Sequence, residues 1–324
     1  GIECRFAHAL VREAVYESLL RSARRSLHRR AAHWFEKRDP GLYAEHLTAA
    51  EDPAAPEAHR HAAVIEQQAC RFERARRHAE HALALSQSDA ERCDAAAVLG
   101  ESCLALGCTE QAIAAFRNSA ALAKEPGPRA RARLGLATAL RVLDRLDDAL
   151  DVLEAAESDA VDEGNPRRLA RVWTLRGNLH FPRGELDDCL RAHQRALELA
   201  QEAGSVEDIA RALGGLGDAE YQRGRMQSSL GYVTRCLDLA GRHGLADLRF
   251  AYLPMAAACR AYGGEFEAAA AIAREAADAA REAGDRRAEL IATNVIASTA
   301  VYRAMYEQAQ ADADRKSTRL NSSH

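Results

Sequence analysis

Apolar positions recur along this chain three to four residues apart, in segments long enough for four or five helical turns, and short stretches marked by glycine or proline separate the segments. Residues 169–204 show the unit most clearly. The pattern predicts a helix over residues 172–180, a turn at 182–184, a second helix over 185–202, and Gly204 as the residue that ends it. The same layout returns at a fixed interval: Gly164, Gly204, Gly244 and Gly284 are forty residues apart, as are Gly184, Gly224 and Gly264. Glycines at these points predict turns with positive φ.

A third register fixes how the helices should meet. Small residues occupy Ala63, Gly100, Ala137, Gly177, Gly217, Ala257 and Ala297, and twelve residues after each stands another: Ala75, Ala112, Ala149, Cys189, Ser229, Ala269 and Ala309. A small residue on each of two consecutive helices lets their backbones approach closely, so each unit reads as a helical hairpin. Asp147, Asp148, Asp187 and Asp188 open second helices, where the macrodipole favours negative charge, so they read as helix-start residues and not as a general acid/base pair. The expectation is an all-α protein: a right-handed α-α superhelix of about seven hairpins over residues 49–313, with almost no strand.

These residues resemble tetratricopeptide repeats, in the longer forty-residue form found in the helical sensor regions of bacterial signal-transduction ATPases. Trp173, Gly177, Cys189 and Ala196 fit the pattern, as do Leu216, Gly217, Ala268 and Ala269, while the aromatic at the end of the first helix is replaced by Cys103, Leu140, His180 and Glu220. Residues 1–48 break the period. Their two amphipathic helices, one with Phe6, Leu10, Ala14, Val11, Val15 and Leu19, the other with Leu27, Ala31, Trp34 and Phe35, resemble the end of the winged-helix region of STAND-type ATPases. The carrying residues are Phe6, His8, Leu10 and Arg12, then Leu27 to Arg30, then Ala44 to His46. The resemblance implies an upstream ATPase core as the region's own partner, with ATP or ADP and magnesium bound there only. It also implies a nucleotide-state sensor at His8 and Arg12.

Composition supports the helical reading. Alanine supplies 71 of the 324 residues, and aromatic residues only 5%, so the 48% hydrophobic fraction consists mostly of small side chains suited to close helix packing. The net charge of −4 excludes an overall pull toward nucleic acid or an anionic membrane, although residues 1–48 carry nine Lys/Arg against six Asp/Glu. The basic run from Arg21 to Arg38 reads as a solvated or interdomain face. No apolar stretch is long enough to span a bilayer. The eight cysteines contain no Cys-x-x-Cys and read as small buried thiols, which places the chain in the cytoplasm.

Little of the sequence carries reaction chemistry. It contains no phosphate-binding loop, and Gly214-Gly-Leu-Gly-Asp-Ala-Glu220 lacks the third glycine of a dinucleotide fingerprint and falls within a helix. His78 and His81 share a helix face without a third ligand nearby, so a helical metal-dependent hydrolase is a distant rival. What remains is a surface. The first helices place Arg131, Arg171 and Arg211 at forty-residue intervals on the concave side, with Asn178, Asp218 and Tyr221 nearby, as candidates for holding a peptide, a protein or a small anionic effector. The alternative for each arginine is an ion pair to the adjacent hairpin. The function expected is a non-catalytic sensor and interaction solenoid of a signal-transduction ATPase or a transcriptional or cyclase regulator; the nearest rival is a free-standing scaffold. The chain opens at Gly1 without Met, as a fragment would, and residues 314–324 resemble a translated sequencing adapter and are set aside from the fold.

Overall fold

The computed structural model describes residues 9–321, and every element among them is an α-helix. The chain forms two compact units, Gly1–Glu163 and Gly164–His324. The first contains α1 (Ala9–Ser18), α2 (Arg21–Phe35), α3 (Pro40–Ala49), α4 (Ala55–Gln68), α5 (Phe72–Leu85), α6 (Asp89–Ala105), α7 (Thr109–Leu122), α8 (Pro126–Val142) and α9 (Leu146–Glu163). The second contains α10 (Pro166–His180), α11 (Leu186–Glu202), α12 (Val206–Gln222), α13 (Met226–His243), α14 (Ala246–Tyr262), α15 (Phe266–Ala283) and α16 (Arg286–Asn321). From α2 onward the helices within each unit pack each on the next, and α4, α6, α10, α12 and α14 also each meet the helix two further on.

The expected turns form where the glycines stand. Gly164, Gly184, Gly204, Gly224, Gly244, Gly264 and Gly284 all have φ between 63° and 82°, a region open to glycine without steric cost. Side-chain caps fix several helix starts: Asn165 accepts from the Arg168 amide at 3.1 Å, and Ser88 and Glu91 form a reciprocal capping box.

The small-residue register is a packing register. Ala63, Ala137 and Ala257 are fully buried, as are Ala75, Ala112, Ala149, Cys189, Ser229 and Ala269 across from first-helix positions of the same set. At one crossing the contact is a hydrogen bond, with Ser229 Oγ donating to the Gly217 carbonyl at 2.9 Å. Where the second helix carries a large side chain instead, glycines make room on both neighbouring first helices. The buried ring of Phe116 lies against Gly100 and Gly135, and buried His193 lies against Gly177 and Gly215. This alternation of large and small side chains lets the helices pack closely.

The last repeat departs from the pattern. Ala297 and Ala309 do not cross, because both lie on the single 36-residue helix α16. The physical reason is at the turn: Ala304 stands where Gly184, Gly224 and Gly264 adopt positive φ, and an alanine there favours continuing the helix. Six hairpins, α4/α5 through α14/α15, follow the register among the described residues. At the other end α1 and α2 form as expected, but Leu10, Val11, Val15, Leu27 and Trp34 from their apolar stripes stay exposed. His8 lies outside the described residues, and Arg12 falls in α1. No helix among the described residues is long and apolar enough to cross a membrane.

Candidate functional site

The first helices of the second unit, α10, α12 and α14, pack side by side, and their polar residues form one continuous network. Arg167 and Arg171, one helical turn apart on α10, both reach Asp208 on α12: the Nε atoms donate to its two carboxylate oxygens at 2.9 and 3.0 Å. Asp208 is almost fully buried and also accepts from Ser205 Oγ. Burial raises its proton affinity, but the hydrogen bonds from Ser205, Arg167 and Arg171 outweigh that and hold its pKa below the usual carboxylate value. Glu207 extends the chain, lying 3.8 Å from Arg171 and accepting from Arg211 at 3.1 Å. Arg211 then donates to Asp247 on α14 at 2.8 Å.

Three guanidiniums and three carboxylates therefore neutralise one another along this face. In the first unit Arg131 is engaged in the same way, gripping Glu101 of the preceding hairpin through two hydrogen bonds of 2.9 Å. Each arginine of the forty-residue ladder thus ties one hairpin to its neighbour.

Removing the hub should be felt locally. Asp208→Asn leaves two guanidiniums without their shared charge. Because both are about half-exposed, the cost is expected to be about 1–2 kcal/mol, below that of a fully buried pair, and visible as a lower Tm. An unchanged Tm would mean that the ties contribute nothing.

The other candidates sit on the same face. Asn178 is half-buried on α10, forty residues before Asp218 on α12. Asp218 accepts from the Tyr252 hydroxyl at 3.1 Å, and burial pushes its pKa up to about 6, against the pull of that hydrogen bond. Tyr221 begins a row of tyrosines spaced about forty residues apart, near the ends of α12 and α14 and within α16. Its ring centroid is 6.3 Å from that of Tyr262, which is 5.3 Å from that of Tyr302, and the Tyr262 and Tyr302 hydroxyls are 3.2 Å apart.

Sequence reading missed Asp208, Tyr252 and the rest of the tyrosine row. Glu207 and Asp247 were detectable, since they repeat at forty residues just ahead of the arginine register; Asp208 has no periodic counterpart. Burial pushes the Cys189 and Cys236 thiols up to about 11 and about 12, which keeps them protonated, whereas Cys70 is exposed and Cys108 half-buried, contrary to the expectation of buried thiols throughout. No group of His, Cys, Asp and Glu among the described residues is arranged to hold a metal ion.

Residues 168–242 match the tetratricopeptide repeat family. The structure is similar to a signal-transduction ATPase with numerous domains from Pyrococcus horikoshii, which carries a tetratricopeptide repeat sensor (TM-score 0.62, 16% identity over 92% of this chain). The chain spans 45% of that protein's length. It is also similar to a tetratricopeptide repeat protein from Parabacteroides merdae (TM-score 0.61, 16% identity, 86% of this chain and 99% of that one). A Rap protein complexed with competence and sporulation factor is similar over 91% of both chains (TM-score 0.57, 12% identity). No curated protein matches the sequence. The likenesses establish the tetratricopeptide-like hairpin fold.

Proposed function

We propose that this chain is the non-catalytic sensor and protein-interaction region of a cytoplasmic signal-transduction ATPase or related regulator, and that it takes a protein or peptide partner, or a small effector, on the face of its first helices. The observation that carries this reading is the tyrosine row on the second unit. Tyr262 on α14 is 52% exposed and Tyr302 on α16 is 36% exposed, although each helix packs on its neighbours. Exposed, rigidly held tyrosines offer a large contact area at low entropic cost, and they are enriched at binding hot spots. The guanidinium–carboxylate ties beside them hold the face in shape, so that binding need not order it.

Two further features support the ATPase connection. The residues that resemble the winged-helix region, Leu27 to Arg30 and Ala44 to His46, lie on α2 and α3. The apolar stripe of α1 and α2 is exposed, which is what a surface that packs on an adjoining core needs. In this reading His8 and Arg12 sense nucleotide state across that contact, and residues 1–48 form the connecting segment.

The test is peptide display against the intact chain. Enriched peptides should lose at least about tenfold in affinity on Tyr262→Ala, a loss of about 1.4 kcal/mol or more and within the hot-spot range. Peptides that bind the variant and the unaltered chain equally would overturn the face assignment. A phosphate-binding loop in frame upstream of residue 1 in the genome would distinguish the ATPase reading from a free-standing scaffold.

A further inference from the structure

The arginines of the first-helix ladder are spent on carboxylates, but a different set of cations in the first unit is not. A cleft of about 430 Å³ opens between α3, α4 and α5. Four guanidiniums border it: Arg38 from the turn before α3, Arg71 at the cap of α5, and Arg74 and Arg77 one turn apart on α5. Arg71 is committed to Glu66. Arg38 sits over the Trp34 ring, with its guanidinium carbon 3.8 Å from the centroid, and donates Nη1 to the Trp34 carbonyl at 2.6 Å, which anchors the side chain and leaves its other nitrogens available. The Arg74 and Arg77 guanidiniums make no ion pair or hydrogen bond among the described residues, although Arg74 lies near enough to Glu66 to favour its charged form.

The carboxylates of the cleft do not cancel this charge. Asp39 is occupied as the cap of α3, its Oδ1 accepting from the Leu42 amide at 2.9 Å, and Glu66 is held by Arg71. Asp39, Glu45 and Glu66 together balance three of the four guanidiniums, which leaves the cleft with a net positive charge. Planar guanidinium forks approaching from one helix and from the turn before another are best met by an anion with oxygens on several faces. A tetrahedral phosphoryl group supplies that, and a carboxylate, with two oxygens in one plane, does not. Leu42 and Ile65 add apolar wall for a small organic body.

We propose that this cleft is a binding site for a small phosphate-bearing ligand, held by Arg38, Arg74 and Arg77. The site is separate from the tyrosine face and stands or falls independently of it. His78 also borders the cleft and links it to the interior, since its Nδ1 lies 2.9 Å from Nδ1 of buried His59. The groups facing His78 are Gly41 and Glu45 from α3, His59 and Glu66 from α4, and Arg77 and His81 from α5. An anion in the cleft favours the protonated form of this imidazole, so His78 reports occupancy.

The experiment is isothermal titration of the full chain with inorganic pyrophosphate, with citrate as a non-phosphoryl polyanion, while the His78 side-chain signals are followed by NMR. Pyrophosphate is expected to bind more tightly than citrate, to shift the His78 signals, and to lose about tenfold or more in affinity on Arg74→Gln/Arg77→Gln, in line with the loss of two charge-assisted contacts. Arg117→Gln/Arg141→Gln, which removes the same charge from exposed positions elsewhere in the unit, should leave binding unchanged. Equal binding of citrate and pyrophosphate, or equal losses in the two double variants, would overturn the proposal. The His78 signals of the unaltered chain decide it without any variant: if saturating pyrophosphate leaves them unmoved, the cleft is not the site.

Discussion

Between pH 7 and pH 5 the chain is expected to lose stability first in its N-terminal unit, and within it at α4 and α5. His59 on α4 is buried, with Nε2 2.9 Å from Thr48 Oγ1, Nδ1 2.9 Å from His78 Nδ1, and the His81 ring stacked 5.1 Å away. Burial, followed by the proximity of His78 and His81, lowers its pKa to about 4, and burial also lowers those of His78 and His28. An imidazole whose folded pKa lies below its unfolded value contributes stability that is fully present above about 6.5. That stability is lost as the pH falls from 6.5 toward 4, because the unfolded chain accepts a proton that the folded chain refuses. For His59 the loss amounts to about 2–3 kcal/mol by pH 4.

The C-terminal unit should respond less, because two groups there have opposite signs. Burial lowers the pKa of His193 to about 4, so acid destabilises this unit as well. Asp218, however, has a folded pKa of about 6, above that of an unfolded aspartate. It opposes folding at neutral pH, and that penalty is relieved as the pH falls through 6. Hydrogen-exchange mass spectrometry at pH 7 and pH 5, corrected for intrinsic rates, should show protection lost in α4 and α5 before α12 and α14. His59→Gln should flatten the response. Equal loss in both units would contradict the assignment.

Gly135→Leu should destabilise the chain by about 3 kcal/mol, among the largest effects of any single change at a helix crossing. A Cβ at residue 135 would lie 2.4 Å from a ring carbon of Phe116, and that ring is held on its other side by Gly100, where a Cβ would come within 2.7 Å. With both sides closed and the ring itself buried, the side chain has nowhere to move, and α8 must shift away from α7. Phe116→Ala in the same chain opens the space. The double variant is expected to melt higher than Gly135→Leu alone, a coupling that a thermal-melt mutant cycle measures directly. If the two changes simply add, the ring and the glycine do not share the crossing.

The parts of the fold legible in the sequence were those written as intervals. The glycine ladder gave turns because positive φ excludes most other residues, and the small-residue register gave crossings because helices can approach closely only where side chains are small. The last repeat was misjudged because Ala297 and Ala309 satisfied the crossing register, while Ala304, which replaces the turn glycine, was in plain view and carried more weight. The exposed stripe of α1 and α2 could not be anticipated from amphipathicity, which says which face is apolar and not what lies against it.

For the candidate site, the arginine ladder was legible and its partners only partly so. Glu207 and Asp247 follow the period, but Asp208 accepts from Ser205 and from two arginines on another helix, an arrangement that exists only once α10 and α12 are side by side. In the same way, His78 and His81 suggested a helix face, whereas His59, nineteen residues before His78, joins them only through the folding of the α4/α5 hairpin.

Each hairpin is stabilised by its neighbours in the forty-residue register, with arginine–carboxylate ties joining successive first helices, so damage at one tie stays local. Residue-level hydrogen exchange on Asp208→Asn tests this most directly. Exchange should quicken in α10 and α12, change less in α11 and α13, and stay unaltered in α4 through α7. A uniform loss of protection across all helices, or none in α10 and α12, would contradict it.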